Sequence, residues 1–368
     1  VRKLVYLANP FSPHVRQWLE IFSNINVEDI NEVEIYHIKH LDGGIGNVSE
    51  QYEYVRNYCP IPGFLSWLPA ILQYVYLGVY LKFTLANSSL IHAHNSSGYG
   101  LSAFLSGKKY ILTTYGSEVY RATLKNTNLP YKILIKAILG SAEIITSSSS
   151  QMTDSVNELC IDLNVYEFSL GVSREFHYSQ SLRDSAREKL KIPLGAVVIF
   201  SNRRLTRLYN IDIILEAFKN VSKKRKLLYL IQIEGDADLN YSREIDKNFN
   251  VENLLYIKGF LEQSELNEIL CASDYTISLP VTDQLSSSIL EGISCNCLPI
   301  LSNLKAYKPL GDISITVDAN VKNLEKTIFD VLDGKYENKY ELVEEFTKRY
   351  SIDVAAKKYQ DVLEKFNV

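Results

Sequence analysis

Cysteine is sparse in this 368-residue sequence: Cys59, Cys160, Cys271, Cys295 and Cys297 are odd in number and show no C-x-x-C spacing. That pattern offers neither a disulfide framework nor a thiolate zinc site, and it fits a reducing compartment. An excess of either charge is also missing, with 39 Lys and Arg against 43 Asp and Glu and a net charge of -4. General nucleic-acid binding is therefore not expected, because neutralising phosphates takes a large basic surface. The one basic run, Lys223-Lys224-Arg225-Lys226, reads first as the solvated end of a helix. Internal repeats and low-complexity tracts are lacking apart from Ser147 to Ser150, which most simply caps a helix start. The amino-terminal apolar run is too short for a signal peptide and reads as a first strand. What is present, 46% hydrophobic and 22% charged residues, excludes disorder and collagen-like repeats. The length points to two domains.

Apolar runs of strand length alternate with helical periodicity, the pattern of a parallel sheet covered on both faces. Strands are expected near Lys3 to Ala8, Val33 to Ile38, Leu90 to His94, Tyr110 to Thr114, Glu143 to Thr146 and Val165 to Phe168. The pattern restarts at Ala196, with strands near Val197 to Ser201, Leu228 to Glu234, Leu254 to Lys258, Asp274 to Leu279 and Leu298 to Ser302. Helices are expected over Asn210 to Val221, Ser264 to Cys271 and Ser286 to Ser294. The polar stretch Leu170 to Pro193 reads as a hinge. A last helix, Ile352 to Phe366, has an apolar face that needs a partner surface. Phe64 to Phe83 has one charge, Lys82, but Pro69, Gln73, Gly78 and several tyrosines argue against a span. A packed helix is the first reading there and a membrane-facing amphipathic helix the second.

Three segments carry candidate chemistry. In Pro280-Val-Thr-Asp-Gln-Leu-Ser-Ser-Ser-Ile-Leu-Glu-Gly-Ile-Ser294 a strand passes through a polar turn into a helix, with seven residues between Asp283 and Glu291. A helix amino terminus near Ser286 suits a diphosphate, and the carboxylates suit hydroxyls on either side of it. Helix capping by Asp283 and Ser286 with a solvated Glu291 is the plain alternative. Arg203, Arg204 and Arg207 follow the first strand of the second half, where open sheets bind ligands and guanidinium forks suit phosphate oxygens. A solvated loop explains them equally well. In Leu90-Ile-His-Ala-His94 alternation sets His92 and His94 on one face, with His94 nearer the ligand-binding end. The turn Thr113-Thr-Tyr-Gly-Ser-Glu-Val119 delivers polar groups to the same edge.

Taken in order, these segments resemble the family-4 glycosyltransferases. The resemblance rests on the Asp283 and Glu291 pair, its continuation Gly292-Ile-Ser-Cys-Asn-Cys-Leu-Pro-Ile300, and His94. It also takes in Thr114-Tyr-Gly-Ser-Glu118, Leu170-Gly-Val-Ser-Arg-Glu-Phe176 and the Arg204-Leu205 segment. It implies an α/β chain of the GT-B fold, two Rossmann-like doubly wound lobes facing a cleft, with the last helix packing back on the first lobe. The implied domains are an acceptor-binding lobe over 1–170, a nucleotide-sugar-binding lobe over 171–350 and a carboxyl-terminal helix over 351–368. It implies a retaining, metal-independent transferase without a cofactor, using a nucleotide-sugar donor, UDP-sugar favoured, and a glycan or lipid-linked acceptor. A cytoplasmic place, at the inner membrane face or near it, and bacterial surface polysaccharide assembly follow from the same resemblance.

By that resemblance His94, Asp283 and Arg204 are catalytic, and Glu291 holds the ribose. Arg203, Arg207, Tyr209 and the amides of Leu285 and Ser286 complete the donor site. Asn9, His14, Tyr115 and Glu118 face the acceptor. Three departures stand out. Tyr209 replaces a family lysine and Asn210 the following glycine. Asn9-Pro-Phe-Ser-Pro-His14 replaces a glycine-rich turn, and Tyr115 a histidine. A catalytically silent binding subunit and a sugar-nucleotide epimerase are the alternatives.

Overall fold

The computed structural model describes residues 3–25, 27, 30–39, 47, 51–235, 237–248, 250–336 and 340–366, with only the backbone at 340–342. Val1, Arg2, Asn367 and Val368, which the expected domains include, lie outside the described residues. The chain forms two compact units, Val1–Leu170 with Ile352–Val368, and Gly171–Ser351.

The first unit has a seven-stranded parallel sheet in the order β3-β2-β1-β4-β5-β6-β7. Its strands are β1 (Leu4–Leu7), β2 (Val33–Tyr36), β3 (Val55–Tyr58), β4 (Leu90–His94), β5 (Tyr110–Thr114), β6 (Ile144–Ser147) and β7 (Val165–Glu167). The helices are α1 (Pro13–Ser23), α2 (Ala70–Thr84), α3 (Gly98–Ser106), α4 (Ser117–Thr123), α5 (Leu129–Gly140) and α6 (Ser150–Leu159). Successive side chains of a strand point to opposite faces. Leu4 and Tyr6 accordingly enter one core with Trp18 of α1, while Val5 and Leu7 enter the other with α2, α3 and α5. Ser149 caps α6 by accepting from the Met152 amide at 3.3 Å, as the serine run suggests.

The second unit holds a six-stranded parallel sheet in the order β10-β9-β8-β11-β12-β13. These strands are β8 (Val197–Ser201), β9 (Leu228–Ile233), β10 (Leu254–Ile257), β11 (Tyr275–Ser278), β12 (Leu298–Ser302) and β13 (Ile315–Val317). Around them pack α7 (Gln180–Lys189), α8 (Ile211–Ser222), α9 (Leu239–Asn248), α10 (Gln263–Ala272), α11 (Ser287–Ser294), α12 (Val321–Leu332) and α13 (Tyr340–Arg349). Val198 and Phe200 face one core and Ile199 the other.

The edge strands β3 and β13 go beyond the set expected from apolar runs. The stretch expected as a hinge contains α7, which packs on α10. Arg187 of α7 reaches the Asp274 carboxylate at 2.9 Å, and Asp274 also accepts from the Val198 amide at 2.8 Å. The segment is thereby fixed to the sheet.

Ile352–Phe366 forms α14, which packs on α1 in the first unit as expected. Tyr359, Val362, Leu363 and Phe366 join the Trp18 core, and each such side chain stabilises by about 1.5–3 kcal/mol on burial. The Tyr359 hydroxyl also meets His92 Nδ1 at 2.8 Å.

Candidate functional site

An open parallel sheet binds ligands where its strand order reverses, outside the carboxyl ends of the strands. In the first unit that point lies between β1 and β4, and in the second between β8 and β11. The candidate residues gather at these two places.

In the first unit the loop after β1 is a tight turn. Asn9 Oδ1 accepts from the Phe11 amide at 2.9 Å, and Pro13 starts α1. His94 ends β4 and is 3% exposed. Past β5 the chain turns at Gly116, whose φ of 124° excludes other residues without strain. The preceding Tyr115 is set inward, its hydroxyl 3.1 Å from Trp18 Nε1 and 3.1 Å from His94 Nδ1. An indole N–H only donates. The Tyr115 hydroxyl therefore accepts from Trp18, which leaves its own proton to donate to His94 Nδ1; in that arrangement Nε2 is the protonated ring nitrogen. That Nε2 is buried and has no protein partner among the described residues. Burial, then the neighbouring His92 and His14, hold the His94 pKa well below the usual histidine range. The imidazole is a neutral N–H donor.

His92 lies on the same strand face and does something else. Both of its nitrogens have partners, Tyr359 at 2.8 Å and Thr113 at 2.7 Å, and burial pushes its pKa down to about 3. It ties α14 to the sheet. His14 is exposed and stacks on Tyr115 with ring centroids 4.8 Å apart. Glu118, expected on the acceptor side, is turned inward at 8% exposure. Its carboxylate accepts from the Ser96 amide at 3.2 Å, the Tyr115 amide at 3.3 Å and the Ser117 hydroxyl at 3.1 Å. It positions the loops after β4 and β5, since unpaired amides there would lose about 1–3 kcal/mol each.

In the second unit Arg203 leaves β8 and is buried. Its Nε donates to Ser278 Oγ at 2.8 Å and its Nη2 to Ser286 Oγ at 2.6 Å and to Asp283 Oδ2. The Tyr209 ring lies 5.0 Å from the guanidinium carbon. Burial works against the charge, but Asp283, Tyr307 and Tyr209 outweigh it and raise the Arg203 pKa. Tyr307 donates to Asp283 Oδ2 at 2.7 Å, and Asp283 Oδ1 accepts from the Gln284 amide at 2.9 Å. Asp283, expected to meet sugar hydroxyls, thus has a protein partner on each oxygen.

Ser286 precedes α11 but does not cap it, because its hydroxyl is shared by Arg203 and Ser288. The first-turn amides of α11 are left without a side-chain cap, which suits an anion. Leu285 fastens the turn below through its side chain in the core. Glu291 is the fifth residue of α11 and half-buried, about 6 Å along the axis from Ser287 and nearer the helix start than two turns.

The three arginines separate. Arg203 points in, Arg204 is exposed, and exposed Arg207 pairs with Glu244 at 2.5 Å over the Tyr241 ring. Arg207 is thereby drawn toward α9. Tyr209 takes the lysine position without adding a second cation beside Arg203. Asn210 has a left-handed backbone, with φ 50°, a conformation asparagine tolerates. Trp18, Ser278 and Tyr307 were not expected. Trp18 lies in an apolar helix face, and Tyr307 in a 3-10 stretch, Lys305–Ile313, so neither carries a polar pattern that marks a site.

Among the described residues no group of three His, Cys, Asp or Glu is placed to hold a metal ion. No curated protein matches the chain. The model of glycosyl transferases group 1 matches residues 183–341. Solved structures are similar over nearly the full length. Sucrose-phosphate synthase from Thermosynechococcus elongatus has a TM-score of 0.79 at 14% identity, with 99% of each chain covered. HepE from Anabaena in complex with UDP and glucose has a TM-score of 0.78 at 13% identity, covering 99% of this chain and 100% of that one. A UDP-forming trehalose-phosphate synthase from Burkholderia xenovorans has a TM-score of 0.69 at 13% identity, with 100% of each chain covered. The chain has the GT-B fold of these glycosyltransferases, and the group 1 model falls on the unit that carries Arg203, Asp283 and α11.

Proposed function

We propose that the protein moves a sugar from a nucleotide-sugar donor to an acceptor hydroxyl, with retention at the anomeric carbon and without a metal or cofactor. The observation that carries this reading is the buried Arg203–Asp283 pair beneath the uncapped start of α11, at the switch point of the sheet to which the group 1 model falls. A diphosphate at that helix start gains from the first-turn amides and the positive dipole end. Arg204 stands exposed at the same strand end to meet its oxygens, and Glu291 serves the ribose hydroxyls. Asp283 acts as a positioning residue through Arg203 and Ser286. Leaving-group charge is then stabilised by fixed groups, and no enzymic nucleophile is needed.

UDP is the favoured nucleotide, on the strength of structural relatives whose descriptions name UDP, UDP-glucose or a UDP-forming reaction. The acceptor is a glycan or lipid-linked hydroxyl read by Asn9, His14, Tyr115 and the Nε2 proton of His94. Polysaccharide assembly on the cytoplasmic side of a membrane is the setting this reading favours. A second reading, a silent nucleotide-binding subunit, is favoured by Tyr209 in the lysine position and by the protein partners of Asp283.

Incubation with a panel of UDP-sugars, scoring UDP release and product anomer by NMR, separates the readings. UDP release with retained configuration, lost in Arg204→Ala, supports transfer. Binding without release leaves a silent subunit, and sugar interconversion without release an epimerase.

A further inference from the structure

Acidic residues almost vanish from one stretch of the first unit. Between Tyr54 and Ala142 the sequence has eight Lys or Arg and a single acid, Glu118, in a chain of net charge -4. Glu118 is buried with its carboxylate held by the loops after β4 and β5. Arg56 and Lys109 pair with Glu32 and Glu143. Lys82 is carried on α2, Arg121 on α4, Lys125 on the chain between α4 and α5, and Lys132 and Lys136 on α5. The charge that this stretch itself turns outward is positive.

The same surface is apolar. Ile71, Val75, Val79 and Phe83 recur every four residues along α2, which is one helical face, and Phe64 and Trp67 lie on the segment leading into it; all six are exposed, Trp67 at 74% and Phe83 at 80%. The opposite face of α2 buries Leu77 and Leu81, and Gly78 lies so close to α3 that an added Cβ would come within 2.8 Å of Ser102 O. The helix is thus apolar on both sides, with only the inner side packed on protein, whereas a surface helix normally shows water a polar face. On the same side of the sheet α5 buries Ile135, Ile138 and Leu139 and exposes Leu129 and Ile133 beside Lys136. No helix among the described residues is long and apolar enough to cross a membrane.

We propose that the outer faces of α2 and α5 dock the first unit on an anionic lipid bilayer. The aromatic and branched side chains enter the boundary between headgroups and acyl chains, and the lysines meet the anionic headgroups. Two copies placed face to face would oppose like charges, which disfavours self-association as the use of this face. The inference goes beyond glycosyl transfer and stands without it.

The protein supplies its own probe. Trp67 is exposed and the other tryptophan, Trp18, is 1% exposed in the core, so a change in emission on vesicle binding reports the α2 face. With phosphatidylcholine vesicles containing one third phosphatidylglycerol, we expect flotation of the full chain, a blue shift and quenching by brominated lipid. Raised ionic strength and neutral vesicles should each weaken binding. Lys132→Glu with Lys136→Glu, and separately Val75→Asp with Val79→Asp, should lower partitioning by about tenfold or more, with unchanged circular dichroism. Absence of binding to anionic vesicles at low salt overturns the proposal. So does binding that both double variants leave intact. A dimer of the parent that the Val75→Asp, Val79→Asp variant converts to monomer, without vesicle binding, assigns the face to a second copy instead.

Discussion

The carboxyl ends of the two sheets share a topology and differ in electrostatics. Around β1, β4 and β5 the ring groups are neutral, and the one inward carboxylate, Glu118, is held by backbone amides: burial keeps His94 unprotonated and raises the Tyr115 pKa. Around β8 and β11 they are charged: Arg203 and Asp283 meet with side chains 8% and 16% exposed. A neutral relay needs only hydrogen-bond partners, whereas a buried charge needs a counter-charge and further bonds. Ser278, Ser286, Tyr209 and Tyr307 supply these around Arg203. Strand order fixes where a ligand meets each sheet, and the side chains at the strand ends decide what kind of ligand that is.

The largest expected effect breaks the charged side. Asp283→Ala leaves Arg203 buried without its counter-ion and should cost about 3–5 kcal/mol in the second unit. Both tryptophans, Trp18 and Trp67, lie in the first unit. Urea unfolding should therefore move the circular dichroism transition while part of the tryptophan transition stays in place. Equal stability of parent and variant contradicts the burial described here.

Acid should act on the neutral side. The His92 pKa lies at about 3, below the unfolded value of about 6.5. The unfolded chain therefore binds the proton first as pH falls. Stability is full above pH 6.5 and declines toward pH 3, with about 1.4 kcal/mol lost at pH 5.5 from His92. The lowered pKa of His94 acts in the same direction. Tryptophan-monitored unfolding at pH 7.5 and 5.5 should differ accordingly, and coincident curves refute buried neutral histidines.

A subtler change tests the relay itself. Trp18→Phe keeps an aromatic ring but removes the donor to Tyr115, so the hydroxyl loses the partner that orients its own proton toward His94 Nδ1. The proton on Nε2 is then less strongly favoured. Transfer kcat should fall about fivefold, roughly 1 kcal/mol, with KM for the nucleotide sugar unchanged. The smallest effect is expected at Arg207, which is exposed and paired with Glu244. Arg207→Ala should alter turnover by less than about twofold, and Arg204→Ala by more.

Strands buried on both faces were legible as apolar runs, since a covered parallel sheet demands them at nearly every position. The edges were not. Val55–Tyr58 carries Arg56 and Asn57, and Ile315–Val317 is three residues long, so neither makes such a run. Helix α7 was hidden by its polarity, for only Ala186 and Arg187 of its ten residues are buried. At the site the arginine cluster and the Asp283 and Glu291 spacing could be read from local sequence. Which arginine turns inward could not, because it depends on Ser278, Asp283 and Tyr307 arriving from β11 and from beyond β12. The inward turn of Glu118 likewise depends on the backbone amide of Ser96, which local sequence does not reveal.

Helix α14 has a consequence for synthesis. The Trp18 core of the first unit is completed by Tyr359, Val362, Leu363 and Phe366, yet the roughly 180 residues of the second unit come between. A ribosome adding about 5–20 residues per second needs roughly 10 to 40 seconds to make that insert. Throughout that interval the α1 side of the nascent first sheet is open where α14 will lie. The second unit, continuous in sequence, can close its core while the first still waits, so the part of the chain made first is the last to be finished.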